Sequence, residues 1–282
     1  MPNDAGTDIG KHFVKENGEI MKLQSKKKVR AKTCEIGGSR YRVFGSMAPE
    51  NAEALRRQLN LPCVGTLDVL EIVLNQYGAL NRFAEDLAAC VSLEIPISLR
   101  IKEQGADDPV DKTLGLAVLE ACVRNGLADF VDIEPEDSGF VSQVKALLSG
   151  TGVKLILTRQ NYRGVGSKAE VLQAAQTVEA MGPALTRVLY LAVDDVDMLH
   201  IAQAARSAKQ QGMLETPFCI SAIGEAGLML HLFGERCGND FGSYPLSRKA
   251  NEGMALETLD EYRKLRRIYA IDHEYDGDGD GT

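Results

Sequence analysis

Three things are missing from this 282-residue chain, and each absence removes a class of function. There is no excess of basic residues: 32 Lys and Arg stand against 40 Asp and Glu, for a formal net charge of -8 and a pI near 5.2. Nucleic-acid affinity rests mainly on cationic contacts to phosphate, so no nucleic-acid partner is expected. There is no run of about 18 apolar residues, the length a membrane-crossing helix needs. The amino terminus MPNDAGTDIG is polar and acidic rather than basic and then apolar, so neither insertion nor secretion is expected and the sequence reads as cytoplasmic. Close-spaced cysteines are absent too. Cys34, Cys63, Cys90, Cys122, Cys219 and Cys237 are scattered singly through apolar surroundings, which suits reduced core residues and neither a zinc site nor a disulfide framework.

What is present is a repeating pattern. Residues 1–28 lack periodicity, carry Lys26, Lys27 and Lys28 together, and read as a disordered lead-in. VRAKTCEI and RYRVFGS flank Gly37-Gly38-Ser39, which reads as the turn of a hairpin. From Arg40 on, short β-rich runs alternate eight times with helical apolar spacing: YRVFGS, LDVLEIVL, IPISLRI, DFVDIE, VKLILT, RVLYLAV, PFCISA and NDFGS are the strands. Near-continuous apolar strands between amphipathic helices predict a parallel sheet covered on both faces, and eight such units predict closure. The fold expected is an α/β (β/α)8 TIM barrel with an N-terminal β-hairpin, one domain over 29–271, with the hairpin and first strand in 29–46. An open doubly wound sheet is the rival, but no Gly-x-Gly-x-x-Gly follows the first strand. Residues 272–282 read as an acidic flexible tail; DGDGDGT opens like a calcium loop but has no twelfth-position glutamate.

Sites on such barrels are assembled at the carboxyl ends of the strands. Those positions hold Glu71 and Asn75, Arg100, Asp132 and Glu134, Gln160, Tyr190, Ser221 and, shortly after, His231. In DVLEIVLN, Glu71, Val73 and Asn75 share a face, as do Asp132 and Glu134 in VDIEP. Taken singly, each carboxylate is more often a paired charge or a helix cap than a catalyst; their coincidence at one rim makes a site.

Over roughly residues 29–270 the chain resembles the type I 3-dehydroquinate dehydratases. KTCEIGGSRYRVFGSMAPEN is similar to that family's hairpin and opening strand, DVLEIVLNQY to its Asp-x-Leu-Glu-x-Arg-x-Asp motif, ISLRIKEQG to its arginine-bearing third strand, and ADFVDIE to its Asp-x-Glu strand. SAIGEAGLMLH and FGS, the latter with Ser243, resemble the last two segments, and ANEGM stands where Ala-Pro-Gly-Gln is expected. The resemblance implies elimination of water from a cyclic keto-acid through a lysine imine, a histidine proton shuttle and a supporting glutamate, with no cofactor and no metal. It also implies a homodimer.

The chain departs from that pattern where the chemistry is done. Gln160 stands in place of the histidine, and a primary amide shuttles no proton at accessible pH. Tyr190 is read in place of the lysine, and a phenol forms no imine. Gln104 takes the glutamate's place beside Glu103, His231 that of a carboxylate-gripping arginine, Met254 that of a glutamine, Val73 that of an arginine and Asn75 that of an aspartate. Lys154 lies at the wrong end of its strand to substitute. The expectation is a dehydratase-like barrel with degenerate catalytic positions that binds a small anionic or polyhydroxylated molecule. Glu71, Arg100, Gln104, Asp132, Arg159, Ser221, His231 and Ser243 would hold that ligand, with Tyr190, Gln160 and Glu134 at the former catalytic positions. The rivals are a lyase or isomerase using Tyr190, His231 or Glu134 as acid and base, and retained dehydratase activity. A filled mouth, with Gln160 and Tyr190 as mere packing, is the bland alternative.

Overall fold

The structure is a computed structural model and describes residues 25–91, 94–102, 110–248 and 258–269. Eight parallel strands form one sheet: β3 (Arg42–Met47), β4 (Val69–Val73), β5 (Ile97–Arg100), β6 (Phe130–Ile133), β7 (Lys154–Asn161), β8 (Leu185–Leu191), β9 (Phe218–Ile223) and β10 (Phe241–Pro245). Their order, β10-β3-β4-β5-β6-β7-β8-β9, follows the chain and brings its last strand beside its first. This is the expected TIM barrel.

Alternating with the strands are α1 (Ala52–Leu59), α2 (Phe83–Ala88), α3 (Lys112–Arg124), α4 (Ser138–Leu148), α5 (Lys168–Ala180), α6 (Asp195–Gln211), α7 (Leu228–Leu232) and α8 (Leu259–Ile268). Most begin on a side chain able to accept from an orphan amide: Asn51, Asp111, Asp137, Ser167, Asp194 and Thr258 each cap a first turn. The apolar stripes of the helices and the outward faces of the strands share one continuous core, from Leu55 and Phe83 round to Ile201 and Tyr262.

The last gap in the ring, between β9 and β10, is closed largely by side chains. Asp240 N–H donates to Phe218 C=O at 2.9 Å, and its carboxylate accepts from Phe218 N–H at 3.0 Å. One step along, the Asn239 amide accepts from Ile220 N–H at 2.9 Å and donates to Ile220 C=O at 3.1 Å. Two polar side chains thus satisfy backbone groups that would otherwise be stranded in a buried seam. Asp240 also receives Ser25 Oγ at 2.8 Å and an ion pair from Lys209, so residues just upstream of the hairpin are tied to the foot of the seam.

The hairpin is real but its turn lies elsewhere than expected. β1 (Val29–Ala31) pairs antiparallel with β2 (Cys34–Ile36), and the chain reverses at Lys32-Thr33, with Lys32 at φ 47°. RYRVFGS joins the barrel instead of pairing with VRAKTCEI. Gly37-Gly38-Ser39 carries the stronger turn signal, yet Gly37 (φ 91°) serves close approach: a Cβ there would meet Lys27 O and the Pro217 ring at 2.7 Å. The hairpin's Val29, Cys34 and Ile36 pack with Phe44, Val69, Phe130, Ile156, Leu185, Cys219 and Phe241, plugging the amino-terminal end of the barrel. The opposite end is left to the polar residues.

Candidate functional site

Strand periodicity places the site. Val69, Phe130, Leu185 and Phe241, from alternate strands, belong to the apolar plug; two residues further along the same strands stand Glu71, Asp132, Arg187 and Ser243, facing the same way. Arg187 Nη2 donates to Glu71 at 2.8 Å and Ser243 Oγ to its other oxygen at 2.9 Å. Arg187 Nη1 lies 3.4 Å from Asp132, while Arg100 of β5 lies 3.6 Å from Glu71 and 3.6 Å from Asp132. Two guanidinium groups and two carboxylates form a neutral quartet in which each ion is at most 3% exposed. Below it the Arg187 guanidinium sits over the Phe44 and Phe241 rings, 5.7 and 5.5 Å from their centroids.

Geometry separates the two acids. Burial pushes Glu71 up, but Arg187, Arg100 and Ser243 outweigh it and hold its carboxyl down at about 2. Asp132 is equally buried and its ion pairs are longer; burial wins over Arg187 and Arg100, and its carboxyl is raised to about 6.

Above the quartet lies a void of about 30 Å³, bounded by Ser46, Leu189, Ser221, His231 and Ser243 together with the arginines. A water needs roughly 10–15 Å³ measured this way, so the void holds about two waters. His231, on α7, is buried; desolvation lowers its imidazole to about 4 despite a hydrogen bond to the Ala222 backbone, so it is neutral. Its Nε2 has no partner among the described residues. Its carbonyl accepts from Tyr244 Oη at 2.8 Å, and Tyr41 Oη lies 3.0 Å from Tyr244 Oη, so the chain of hydroxyls ends on the backbone that carries the imidazole.

At the rim stand Gln160 on β7, Glu134 just past β6 and Lys102 just past β5, all buried. Gln160 Oε1 accepts from Tyr162 Oη at 2.6 Å, and its Nε2 is buried without a partner among the described residues. Asn75 holds the backbone of Lys102 at both ends, accepting from its N–H at 2.9 Å and donating to its C=O at 2.8 Å.

Most sequence-derived positions therefore converge: Glu71, Arg100, Asp132 and Ser243 interlock, Ser221 and His231 bound the void beside them, and Glu134 and Gln160 take the rim. Two do not. Tyr190 and Arg159 face outward, where with Asn161 they line a groove against α5. Tyr190 therefore does not face Gln160 across the mouth; on β8 the inward positions are Arg187 and Leu189, one residue out of phase with it. Val73 faces inward and packs on Ala48. Glu103, Gln104 and Met254 lie outside the described residues.

Sequence reasoning missed Arg187 and Lys102. The signal for Lys102 was legible, since Ser98, Arg100 and Lys102 alternate along one face of ISLRIK. For Arg187 it was not, because RVLYLAV carries one polar residue on each face, Arg187 on one and Tyr190 on the other, and so gives no parity. Among the described residues no group of three or more His, Cys, Asp or Glu could hold a metal ion, and no helix is long and apolar enough to cross a membrane.

A closed parallel barrel whose carboxyl-terminal mouth is floored by buried ion pairs has the architecture of a (β/α)8 enzyme scaffold. Residues 43–276 match the family model for type I 3-dehydroquinase, and the chain belongs to that family. Its curated relatives include a 3-dehydroquinate dehydratase of Geobacillus kaustophilus, 24% identical over 218 residues (74% of this chain, 84% of the relative). Another, from Alkaliphilus oremlandii, is 22% identical over 248 residues (83% and 94%). The crystal structure of the enzyme from Geobacillus kaustophilus superimposes with a TM-score of 0.78 at 21% identity, covering 90% of this chain and 99% of that one. A type I enzyme from Clostridium difficile gives 0.77 at 16% identity (88% and 98%).

Proposed function

We propose that this barrel binds a small carboxylate-bearing polyol in its mouth and forms no lysine imine there. It would be a family member in which dehydration has been lost. The observation that carries the reading is Arg187. β8 turns a guanidinium into the interior, locked to Glu71 and Asp132, and a group that never loses its proton cannot attack a carbonyl. Gln160 supports the same reading, because an amide moves no proton at neutral pH. So does the placement of the buried lysine and the buried histidine among the described residues. Lys102 follows β5 and His231 follows β9, four strands apart in a ring of eight and hence on opposite walls.

Ser221, Ser243 and the neutral His231 offer hydrogen bonds to hydroxyls, and the two arginines suit a carboxylate. The void of about 30 Å³ is smaller than a six-membered hydroxy-acid, so entry requires rim side chains to move. Residence in the cytoplasm and assembly as a homodimer belong to the same proposal; sedimentation reads the latter.

The test adds 3-dehydroquinate and borohydride and measures the intact mass, with enone absorbance followed in parallel. No reduced adduct and no enone are expected, while quinate or shikimate raises the melting temperature. At 100-fold the dissociation constant the gain is about 2.7 kcal/mol. A reduced adduct on any lysine overturns the reading, and thermal silence towards both acids removes its binding half. The unpartnered Nε2 of His231 favours one second reading, a lyase or isomerase working by acid–base chemistry alone. It predicts turnover that survives borohydride and is lost in His231→Gln.

A further inference from the structure

The polar end of β7 has two faces, and only one looks into the barrel. Gln160 turns to the mouth. Arg159 and Asn161 turn the other way, beside Tyr190 of β8, and Asn161 and Tyr190 are register partners. With Glu170, Gln173 and Thr177 of α5 they line a groove of about 300 Å³, far larger than the void in the mouth.

Several features of the groove point to a ligand. Tyr190 is only 4% exposed, and the part of it that solvent reaches lines the groove. Arg159 reaches over the groove with a single ion pair, 3.7 Å from Glu136 and too long for a hydrogen bond. Asn161 Oδ1 is occupied by Arg163 N–H at 2.9 Å, which leaves the amide nitrogen of Asn161 as a donor. Glu170 binds Ser167 N–H and Oγ through Oε2 alone, at 2.7 and 2.8 Å, leaving Oε1 as an acceptor.

We propose that this groove is a second small-molecule site, separate from the mouth, for a hydroxylated monocarboxylate. The ligand's carboxylate lies against Arg159 and the Asn161 amide, and a hydroxyl accepts from Tyr190 and donates to Glu170. The single cation and single anion set the class. A dicarboxylate would bring a second negative charge against Glu170, and a neutral polyol would gain no charge pairing from Arg159, whose ion pair to Glu136 is long. β7 separates this site from the mouth, since its successive residues serve opposite sides.

The chain has no tryptophan, so Thr177→Trp places a sole fluorophore on the groove wall. Glycerate is the probe, with propionate (no hydroxyl) and glycerol (no carboxylate) as controls. A saturable fluorescence change is expected with glycerate, with at least tenfold weaker responses to the controls. Arg159→Ala, or Arg159→Gln should the alanine variant fold poorly, weakens glycerate binding at least tenfold, and Tyr190→Phe weakens it several-fold. Ser243→Ala in the mouth leaves it unchanged. The proposal is overturned if glycerate produces neither a fluorescence change in Thr177→Trp nor a thermal shift in the unmodified protein. It is equally overturned if the response survives the Arg159 variants or disappears in Ser243→Ala, which would assign binding to the mouth.

Discussion

Arg187 on β8 donates to Glu71 on β4 at 2.8 Å, and those two strands stand diametrically opposite in the ring. A bond between opposite strands spans the barrel, so the interior at this height is filled by ions instead of by the branched apolar side chains usual in such cores. The quartet is neutral as a whole and intolerant of the loss of one member.

Replacing Arg187 with methionine leaves Glu71 and Asp132 sharing Arg100 alone. Removing one partner of a buried pair typically costs about 3–5 kcal/mol. Urea denaturation of Arg187→Met should show a loss of that size. The double variant with Glu71→Gln should recover part of it, because the charge left unpaired is removed as well.

The two carboxylates give stability opposite dependences on pH. The Asp132 carboxyl is raised to about 6 from an ordinary 3.8, so between those values the native state takes up a proton that the unfolded chain does not. Its contribution is full below about pH 3.8 and lost as pH rises through 6. Wild-type stability relative to Asp132→Asn should therefore increase from pH 7 to pH 4, by up to about 3 kcal/mol. Glu71 is depressed to about 2 from 4.5; its contribution is present above pH 4.5 and lost as pH falls towards 2. Stability relative to Glu71→Gln should fall over that lower range. Guanidinium titrations of the three proteins at each pH read both slopes.

Asn239 substitutes for backbone in the β9–β10 seam. Asn239→Ala strands Ile220 N–H and C=O in a buried setting, at about 1–3 kcal/mol for each group. A loss of roughly 2–6 kcal/mol is expected, and hydrogen exchange should localise it, with the Ile220 amide losing protection before the amides of β4 to β6.

Ser167 and Glu170 form a reciprocal capping box at the start of α5. Ser167→Ala should cost about 1 kcal/mol by thermal unfolding. If the groove beside α5 binds glycerate, the same variant should also alter that affinity, since it removes one of the two hydrogen bonds that hold Oε2 of Glu170.

Much of this was legible in the chain. The eight strands and the helices between them follow from apolar runs and 3.6-residue spacing; Glu71 and Asp132 could be placed at a strand end by alternation within their runs, while Ser243 entered only through the family resemblance. The hairpin turn was misplaced because Lys32-Thr33 has none of the residues that advertise a reversal, whereas Gly37-Gly38-Ser39 has all of them. The apolar run VKLILT ends at Thr158, but β7 continues through Asn161, since hydrogen bonding to β8 decides strand length and polarity does not.

The sequence alone determined the fold class, the polarity of the barrel, with its greasy foot and charged mouth, and most of the residues that gather there. The tertiary structure decided which parity of each strand looks inward. A strand buried on both sides is apolar at every position, so its pattern does not distinguish barrel from helix layer. Only closure of the ring turned Arg187 to the centre and Tyr190 to the outer groove.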